Sequence, residues 1–212
     1  MQKNYKLGHS NSDVFEVFRF LIRRYNKMCL FFLSCLIFST HLHSQESLLL
    51  KTNLLGWGTG TINLGAELPM TSHLTVGLSG SYNPWVLQRN SKLQHLLIRP
   101  EVRFYPCCSL KKYFIGIQGV YGVFNVGGLN IPIFPLIKNK RYIGTMGGVS
   151  VLGGYQFPVN RHWSIEMLLG GGYIRTYGKL YQCPRCGHFL EKKKKNYLGA
   201  TDMAVSLIYV IN

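Results

Sequence analysis

Charged residues, and acidic residues above all, are scarce in this 212-residue chain. Asp and Glu number only 8, and charged residues make up 15% of the sequence, whereas a soluble domain usually carries about 25%. Beyond the N-terminus the chain also lacks the uninterrupted apolar run of about 18 residues that a transmembrane helix needs. These absences disfavour both an ordinary soluble domain and a helical membrane protein. They favour a protein in which one face of every strand is shielded from water, as in a membrane β-barrel.

The stretch Leu93–Tyr105 has the alternation that such a strand requires. One series of alternate residues is apolar: Leu96, Ile98, Pro100, Val102 and Phe104. The other is largely polar: His95, Leu97, Arg99, Glu101 and Arg103. The stretch is long enough to cross the hydrocarbon of an outer membrane, which takes roughly 9–11 tilted residues. It predicts one strand of a transmembrane β-barrel, with a bulge at Pro100 because proline cannot donate a ladder hydrogen bond.

Seven further segments alternate in the same way, and they are rich in glycine from position 56 onward. They cover residues 48–55, 62–68, 74–82, 111–124, 141–157, 162–176 and 197–211. The sequence therefore predicts an all-β fold, an eight-stranded antiparallel transmembrane β-barrel that acts as a monomer with a filled lumen. Residues 177–196 are predicted to be the longest outer loop. A secreted soluble β-sandwich is the alternative fold.

Aromatic residues gather near the predicted strand ends, as in the interfacial girdles of membrane barrels. The outer group is Trp57, Tyr82 and Trp85, and the inner group is Phe104, Tyr113, Phe114, Phe157 and Trp163. Edge aromatics of a soluble sandwich would give a similar pattern.

The N-terminus is typical of a secretory signal peptide. Basic residues precede Met28, Cys29–Phe38 is an apolar run with one serine, and a polar exit ends near Gln45. Residues 1–45 are thus predicted to be an N-terminal extension and signal peptide, with Met28 as a candidate start, and residues 46–212 the barrel. A single membrane anchor and a lipoprotein signal ending at Cys35 are alternatives.

The carboxylates beyond the signal peptide concentrate on the polar faces of the predicted strands. Four of the six fall there together with three bases, and the set is Lys51, Glu67, Arg99, Glu101, Arg103, Glu166 and Asp202. A proton relay or the paired acids of a hydrolase would use such groups. A structural network of ion pairs inside a narrow barrel is the favoured interpretation, because eight strands leave only enough room for side chains.

The Cys183-Pro-Arg-Cys186-Gly motif resembles half of a zinc ribbon. Its only partners in the mature chain, Cys107 and Cys108, belong to the opposite end of the predicted barrel. A local Cys183–Cys186 disulfide is therefore favoured over a metal site in an exported protein. No metal and no cofactor are predicted.

No nucleophile and base stand together in the sequence, so no catalytic residue is predicted. His95 and Ser81 are the one pair to consider for lipid or ester hydrolysis. An outer-membrane lipid-modifying enzyme is therefore kept as an alternative to a structural or surface-interaction protein.

Many of the basic residues that give the chain its formal charge of +16 lie in the predicted outer loops. The proposed anion-binding residues are Lys138, Lys140, Arg141, Lys192, Lys193, Lys194 and Lys195. Expected partners are outer-membrane lipid and lipopolysaccharide, a surface glycan or an acidic protein; a merely solvated set of loops is the alternative. Nucleic acid is disfavoured because the signal peptide directs the chain out of the cytoplasm.

Several short motifs together resemble one family. They are Lys51-Thr-Asn-Leu-Leu55, Asn63-Leu-Gly-Ala-Glu67, Tyr82-Asn-Pro-Trp85, Arg99-Pro-Glu-Val-Arg103 and Cys183-x-x-Cys186-Gly. From about Leu48 to the C-terminus the chain is similar to a domain-of-unknown-function family of small outer-membrane proteins from Bacteroidetes. The resemblance implies an outer-membrane barrel and supplies no catalytic residues. The end of the chain, Tyr209-Val-Ile-Asn212, departs from the aromatic finish that barrel-assembly signals usually have.

Overall fold

The fold is a closed ring of eight antiparallel strands. A computed structural model describes residues 48–85, 92–107, 112–128, 140–182 and 189–211. The elements are β1 (Leu48–Asn53), α1 (Leu54–Gly58), β2 (Ile62–Pro69), β3 (Leu74–Asn83), β4 (Lys92–Phe104), β5 (Lys112–Gly127), β6 (Arg141–Pro158), β7 (Trp163–Tyr181) and β8 (Phe189–Ile211). Each strand pairs with the next, and β8 pairs with β1. The predicted eight antiparallel strands are confirmed, whereas the predicted signal peptide lies outside the described residues.

The ring is polar inside and apolar outside. In β3, Thr75 is fully buried while its neighbours Val76 and Leu78 point outward and are exposed. Among the described residues, buried polar or charged side chains outnumber buried apolar ones. A strand alternates its faces with every residue, so the two series in each strand divide the interior from the exterior. In the same part of the chain, no helix is long and apolar enough to cross a membrane.

The first strand ends two residues earlier than its alternation predicts. Asn53 accepts a hydrogen bond from the Leu55 backbone N–H at 3.0 Å and so caps the short helix α1. An asparagine at this position satisfies a helix N–H that would otherwise lack a partner. Leu54 and Leu55 therefore belong to a helix at the end of the ring.

The predicted long loop over residues 177–196 is wrong for the residues that are described. Residues 177–181 continue β7 and residues 189–196 belong to β8, and the two strands pair there, Tyr177 with Lys194 and Leu180 with Glu191; residues 183–188 lie outside the described residues. The run of lysines suggested a loop because lysine is depleted in strands. The backbone ladder nevertheless continues, because its hydrogen bonds do not require apolar side chains.

The predicted bulge at Pro100 is wrong as well. The β4–β5 ladder breaks between the Ile98–Tyr121 and Glu101–Gln118 pairs, yet both strands advance by the same number of residues. Gly119 lies beside the proline, and a Cβ there would be 3.3 Å from Pro100 Cγ. The missing side chain of Gly119 thus makes room for the proline ring, and no extra residue is needed.

The strands lengthen steadily along the chain, from 6 residues in β1 to 23 in β8. Of the described residues of β8, only Ser206–Ile211 pair with β1. Within the described ranges, the rest of β8 has a strand neighbour on one side alone. Asn53 covers part of the free edge, since its side chain contacts the Met203 carbonyl and the Val205 N–H at 3.3 Å each.

Exposed aromatic side chains lie toward both ends of the ring. Trp57, Tyr82 and Trp85 are exposed at one end, and Phe104, Tyr113, Phe157 and Trp163 at the other. Phe114 was predicted to join the second group, and this is wrong. Its ring is buried inside the barrel, 5.4 Å from the Tyr105 ring, because it lies on the opposite face of β5 from Tyr113.

Candidate functional site in the barrel lumen

Five charged side chains from four strands meet inside the ring. They are Lys51 of β1, Glu67 of β2, Glu101 and Arg103 of β4, and Glu166 of β7, and all five are buried. Each occupies an inward position of its strand's alternation, so the polar series of the sequence becomes one cluster in space. We call these five residues the lumen charge cluster.

Two cations hold three carboxylates in the lumen charge cluster. Lys51 Nζ lies 2.9 Å from Glu67 Oε2 and also donates to Glu101. Arg103 lies 3.2 Å from Glu67 and 3.2 Å from Glu101, and its guanidinium also donates to Glu166. Charge-assisted bonds of this kind are about twice as strong as neutral ones. The cluster joins β1, β2, β4 and β7 across the lumen.

Two hydroxyl groups complete the surroundings of Glu67. Thr75 donates to Glu67 Oε1, and the Tyr105 hydroxyl donates to the same oxygen at 3.1 Å. Tyr105 follows the end of β4, and burial, assisted by the Glu67 carboxylate, raises the pKa of its hydroxyl. Tyr105 therefore keeps its proton and remains a donor.

The other two predicted residues form a second, looser pair. Arg99 Nε lies 3.8 Å from Asp202 Oδ2, and both side chains are partly exposed. Arg99 also donates to Ser81 Oγ at 2.8 Å, and Gln118 donates to Asp202 at 3.3 Å. The seven residues named from the sequence thus divide into the lumen charge cluster and this pair.

Glycines face the charged residues across the ladders, and the sequence alone predicted room for large inward side chains but not which glycine provides it. Gly65 is paired with Lys51, Gly77 with both Glu67 and Glu101, and Gly116 with Arg103. A Cβ on Gly77 would lie 2.7 Å from Glu101 Oε1. The inward glycines therefore leave the space that the long charged side chains occupy, and cross-strand register was the signal needed to find them.

Gly77→Ala should destabilise the barrel by about 1–3 kcal/mol, because the new methyl overpacks a filled site and displaces the Glu101 carboxylate. Denaturant unfolding in detergent micelles measures the change. Gly153→Ala is the control, since a Cβ there would meet nothing within 4 Å. Equal stability of the two variants would show that Gly77 does not make room for Glu101.

A cavity of about 430 Å³ lies above the lumen charge cluster. Lys51, Glu101, Arg103 and Glu166 line it at one end, and residues of the β1–β2 connection line it at the other: Leu55, Gly56, Thr59 and Thr61. Inside the ring, Phe114 packs with four further buried residues, of which Leu168 and Ala204 also line the cavity: Tyr105, Leu152, Leu168 and Ala204. Side chains thus fill only part of the lumen, which differs from the filled lumen predicted from the sequence.

Ser81 and His95 both line this cavity inside the ring. Ser81 is buried and accepts the hydrogen bond from Arg99. The lipid-hydrolase hypothesis requires these two side chains on the outward rim. The structure places them on the inward face instead.

The metal and disulfide predictions fall mainly on residues that the structure leaves undescribed. Cys183 and Cys186 lie outside the described residues, so their disulfide stays a prediction. Cys107 is an exposed free thiol in the turn after β4. Among the residues that are described, no three His, Cys, Asp or Glu side chains are grouped closely enough to hold a metal ion.

The predicted anion-binding residues do not form one set of loops. Lys138 lies outside the described residues, Lys140 is half-buried, and Arg141 begins β6 and donates to Asn125 at 2.8 Å. The four residues Lys192–Lys195 lie in β8 and alternate between two faces. Lys192 and Lys194 are exposed, whereas Lys193 and Lys195 are half-buried.

Comparisons with known proteins give a family and no activity. A search of curated proteins found no match. The family described as "Protein of unknown function (DUF3575)" matches residues 29–211, which include every described strand. The chain therefore belongs to the DUF3575 family of proteins of unknown function.

Proposed function

We propose that this protein is an outer-membrane β-barrel with a structural or surface-interaction role, exported by a signal peptide over residues 1–45. The observation that carries the proposal is the reversed distribution of polarity. Ile117, Val151 and Leu169 are each 66% exposed on the outside, while Glu67 and Arg103 are 1% and 2% exposed inside. In water, exposed apolar side chains on the outside and buried charges on the inside would both be unfavourable. A lipid bilayer around the ring favours apolar side chains outside and charged side chains in the lumen.

The height of the apolar surface supports the same proposal. On the outward face of β7, apolar or small residues extend from Trp163 to Tyr173, a separation of ten residues. At about 3.3 Å per residue and a tilt of about 40°, this corresponds to about 25 Å, the height of the apolar band of outer-membrane barrels. Aromatic side chains mark both limits of that band. Trp163 and Tyr173 then lie at the two interfaces.

The lumen charge cluster has a structural role in this proposal. Each of its carboxylates is engaged by Lys51 or Arg103, and the contacts bind strands that are distant in the ring. Neither a nucleophile nor an unpaired acid is provided at the centre of the cluster. The protein is accordingly proposed to act as a monomer without enzymatic activity, through its outer surface.

The two alternatives have less support. A β-sandwich needs two separate sheets, whereas β8 pairs with β1 to close a single ring. A lipid-modifying enzyme needs a reactive group facing lipid, whereas Ser81 and His95 face the lumen. The proposed surface-interaction role is supported by the basic residues at one end of the barrel, such as Lys192–Lys195 of β8.

Heat modifiability of carbonate-washed membranes tests the proposal. We expect the protein to stay with the membranes and to change its mobility on a detergent gel when the sample is boiled, because a closed barrel resists detergent until heated. A protein of known barrel fold in the same membranes serves as the control. Release into the carbonate wash, without a mobility change on boiling, would contradict membrane insertion.

A further inference from the structure

We propose that the outward face of the β7–β8 hairpin binds the phosphate groups of an outer-leaflet glycolipid. The residues that form this site are Arg175 and Lys179 of β7 and Lys192 and Lys194 of β8, which we call the outward cation patch. The inference rests on the proposed membrane location, and it assigns the lipid-binding role to the side of two strands instead of to loops.

The strand register brings the four cations together. Lys179 is paired directly with Lys192, and Lys194 is paired with Tyr177, next to Arg175 on the same face of β7. Like charges directly opposite each other in a sheet destabilise the pairing. Two strands therefore carry facing cations at a cost in stability that a bound anion would offset.

Tyr177 holds two of these cations close to one ring. Arg175 Cζ is 5.1 Å and Lys194 Nζ is 5.5 Å from the centroid of the Tyr177 ring. Both distances fall within the range of a cation–π contact. The guanidinium and the ammonium are thus positioned around a common point before any ligand arrives, which lowers the entropy cost of binding.

No carboxylate neutralises the patch in the described part of the hairpin. Among the described hairpin residues 174–182 and 189–197, which surround the patch, Glu191 is the one acidic residue, and its ion pair is with Lys193, which lies 3.3 Å away on the other face. An external anion is the natural counterion for the patch. Arginine and lysine are both suited to phosphate, arginine through paired hydrogen bonds and lysine as a point charge.

The position of the patch identifies the source of the phosphate. Arg175 follows Tyr173 on the outward face, immediately beyond the proposed apolar band. On β8, Leu198 is paired with Tyr173 and is 80% exposed. The cations therefore project sideways at the height of lipid headgroups, directly above side chains suited to acyl chains. A soluble phosphate has no acyl chains, so it would gain no binding free energy from the apolar side chains beside the cations.

Protection of an exposed strand edge is the competing explanation, since lysines commonly discourage edge-to-edge pairing. That explanation concerns the unpaired edge of β8 and makes no distinction between its two faces. A lipid site does distinguish them. The alternation of Lys192–Lys195 offers a test, because neighbouring lysines of the same strand lie on opposite faces.

The test compares two double variants of the full chain, purified in a neutral detergent. Lys192→Gln/Lys194→Gln removes two cations from the outward face, and Lys193→Gln/Lys195→Gln removes two from the other face with the same change in net charge. The probe is lipid A bearing both phosphates. We expect the outward pair to weaken binding roughly tenfold or more, and the control pair by less than about threefold.

Three further measurements decide the outcome. Dephosphorylated lipid A should bind every variant weakly, and added salt should weaken the phosphorylated lipid most in the unmodified chain. Equal losses in the two double variants, or equal binding of the dephosphorylated lipid, would overturn the site. Displacement by inorganic phosphate at the same concentrations as lipid would overturn the lipid source. A heat-modifiable, membrane-retained protein with any of these results disproves the site alone, whereas loss of membrane retention disproves the proposed function.

Discussion

Arg103→Met should destabilise the barrel by roughly 3–5 kcal/mol, the cost of removing one partner from a buried group of ion pairs. Arg103 contacts all three carboxylates of the lumen charge cluster, and its guanidinium lies 4.3 Å from the centroid of the buried Phe114 ring. Without it, Lys51 alone faces three buried negative charges. The measurement is denaturant unfolding in micelles, followed by the loss of the heat-modifiable gel form.

Two comparisons separate the charge effect from a packing effect. Arg99→Met is the matched control, because Arg99 is more exposed and its ion pair with Asp202 is long, at 3.8 Å. It should cost about 1 kcal/mol or less. Adding Glu166→Gln to Arg103→Met should recover part of the lost stability, since it removes a carboxylate whose only ion pair in the described residues is with Arg103. Equal losses for Arg103 and Arg99, with no recovery, would mean that the cluster contributes little.

Leu169→Arg should destabilise the folded protein in lipid vesicles by about 2–4 kcal/mol. This is the cost of placing a cation near the middle of the bilayer on the lipid-facing side of a barrel. Leu169 lies about midway between Trp163 and Tyr173 and is 66% exposed. On the surface of a soluble protein the same change would be close to neutral. The folded fraction on unboiled gels, as a function of urea concentration, gives the free energy.

Met70→Arg is the control for the lipid-face substitution. Met70 is an exposed apolar residue in the turn between β2 and β3, where a charge would meet water or headgroups. The cost of Arg at the interfaces of a barrel falls to about 0–1 kcal/mol. Tolerance of Leu169→Arg to the same degree as Met70→Arg would argue that the outer surface does not contact hydrocarbon.

The division of residues between the two faces was predictable from the sequence. In β4, one series of alternate residues was expected outside and the other inside, and Val102 is exposed while Glu101 and Arg103 are buried. The two-residue period of a strand fixes this division without knowledge of any neighbour. The strand count and order follow from the same period, together with the turn residues between segments.

Relations between strands were not predictable in this way. The space for Glu101 depends on Gly77 across the ladder, and the accommodation of Pro100 depends on Gly119. Register decides both, and alternation within one strand carries no information on register. The extension of β7 and β8 was missed for a related reason. The alternation of apolar and polar side chains ends with the apolar band, but backbone pairing continues beyond the band as far as the Tyr181–Phe189 pair.

The shortness of β1 has a consequence for how the cylinder is completed. In the described residues, only three residue pairs join β1 to β2 and six join it to β8. A strand with so few backbone bonds depends on its side chains to stay in place. Lys51 supplies that attachment, because its ammonium group reaches Glu67 on the adjacent strand and Glu101 beyond it. The first strand is therefore anchored toward β2 and β4 by the Lys51 ammonium, and toward β8, where the ring closes, by the Asn53 amide.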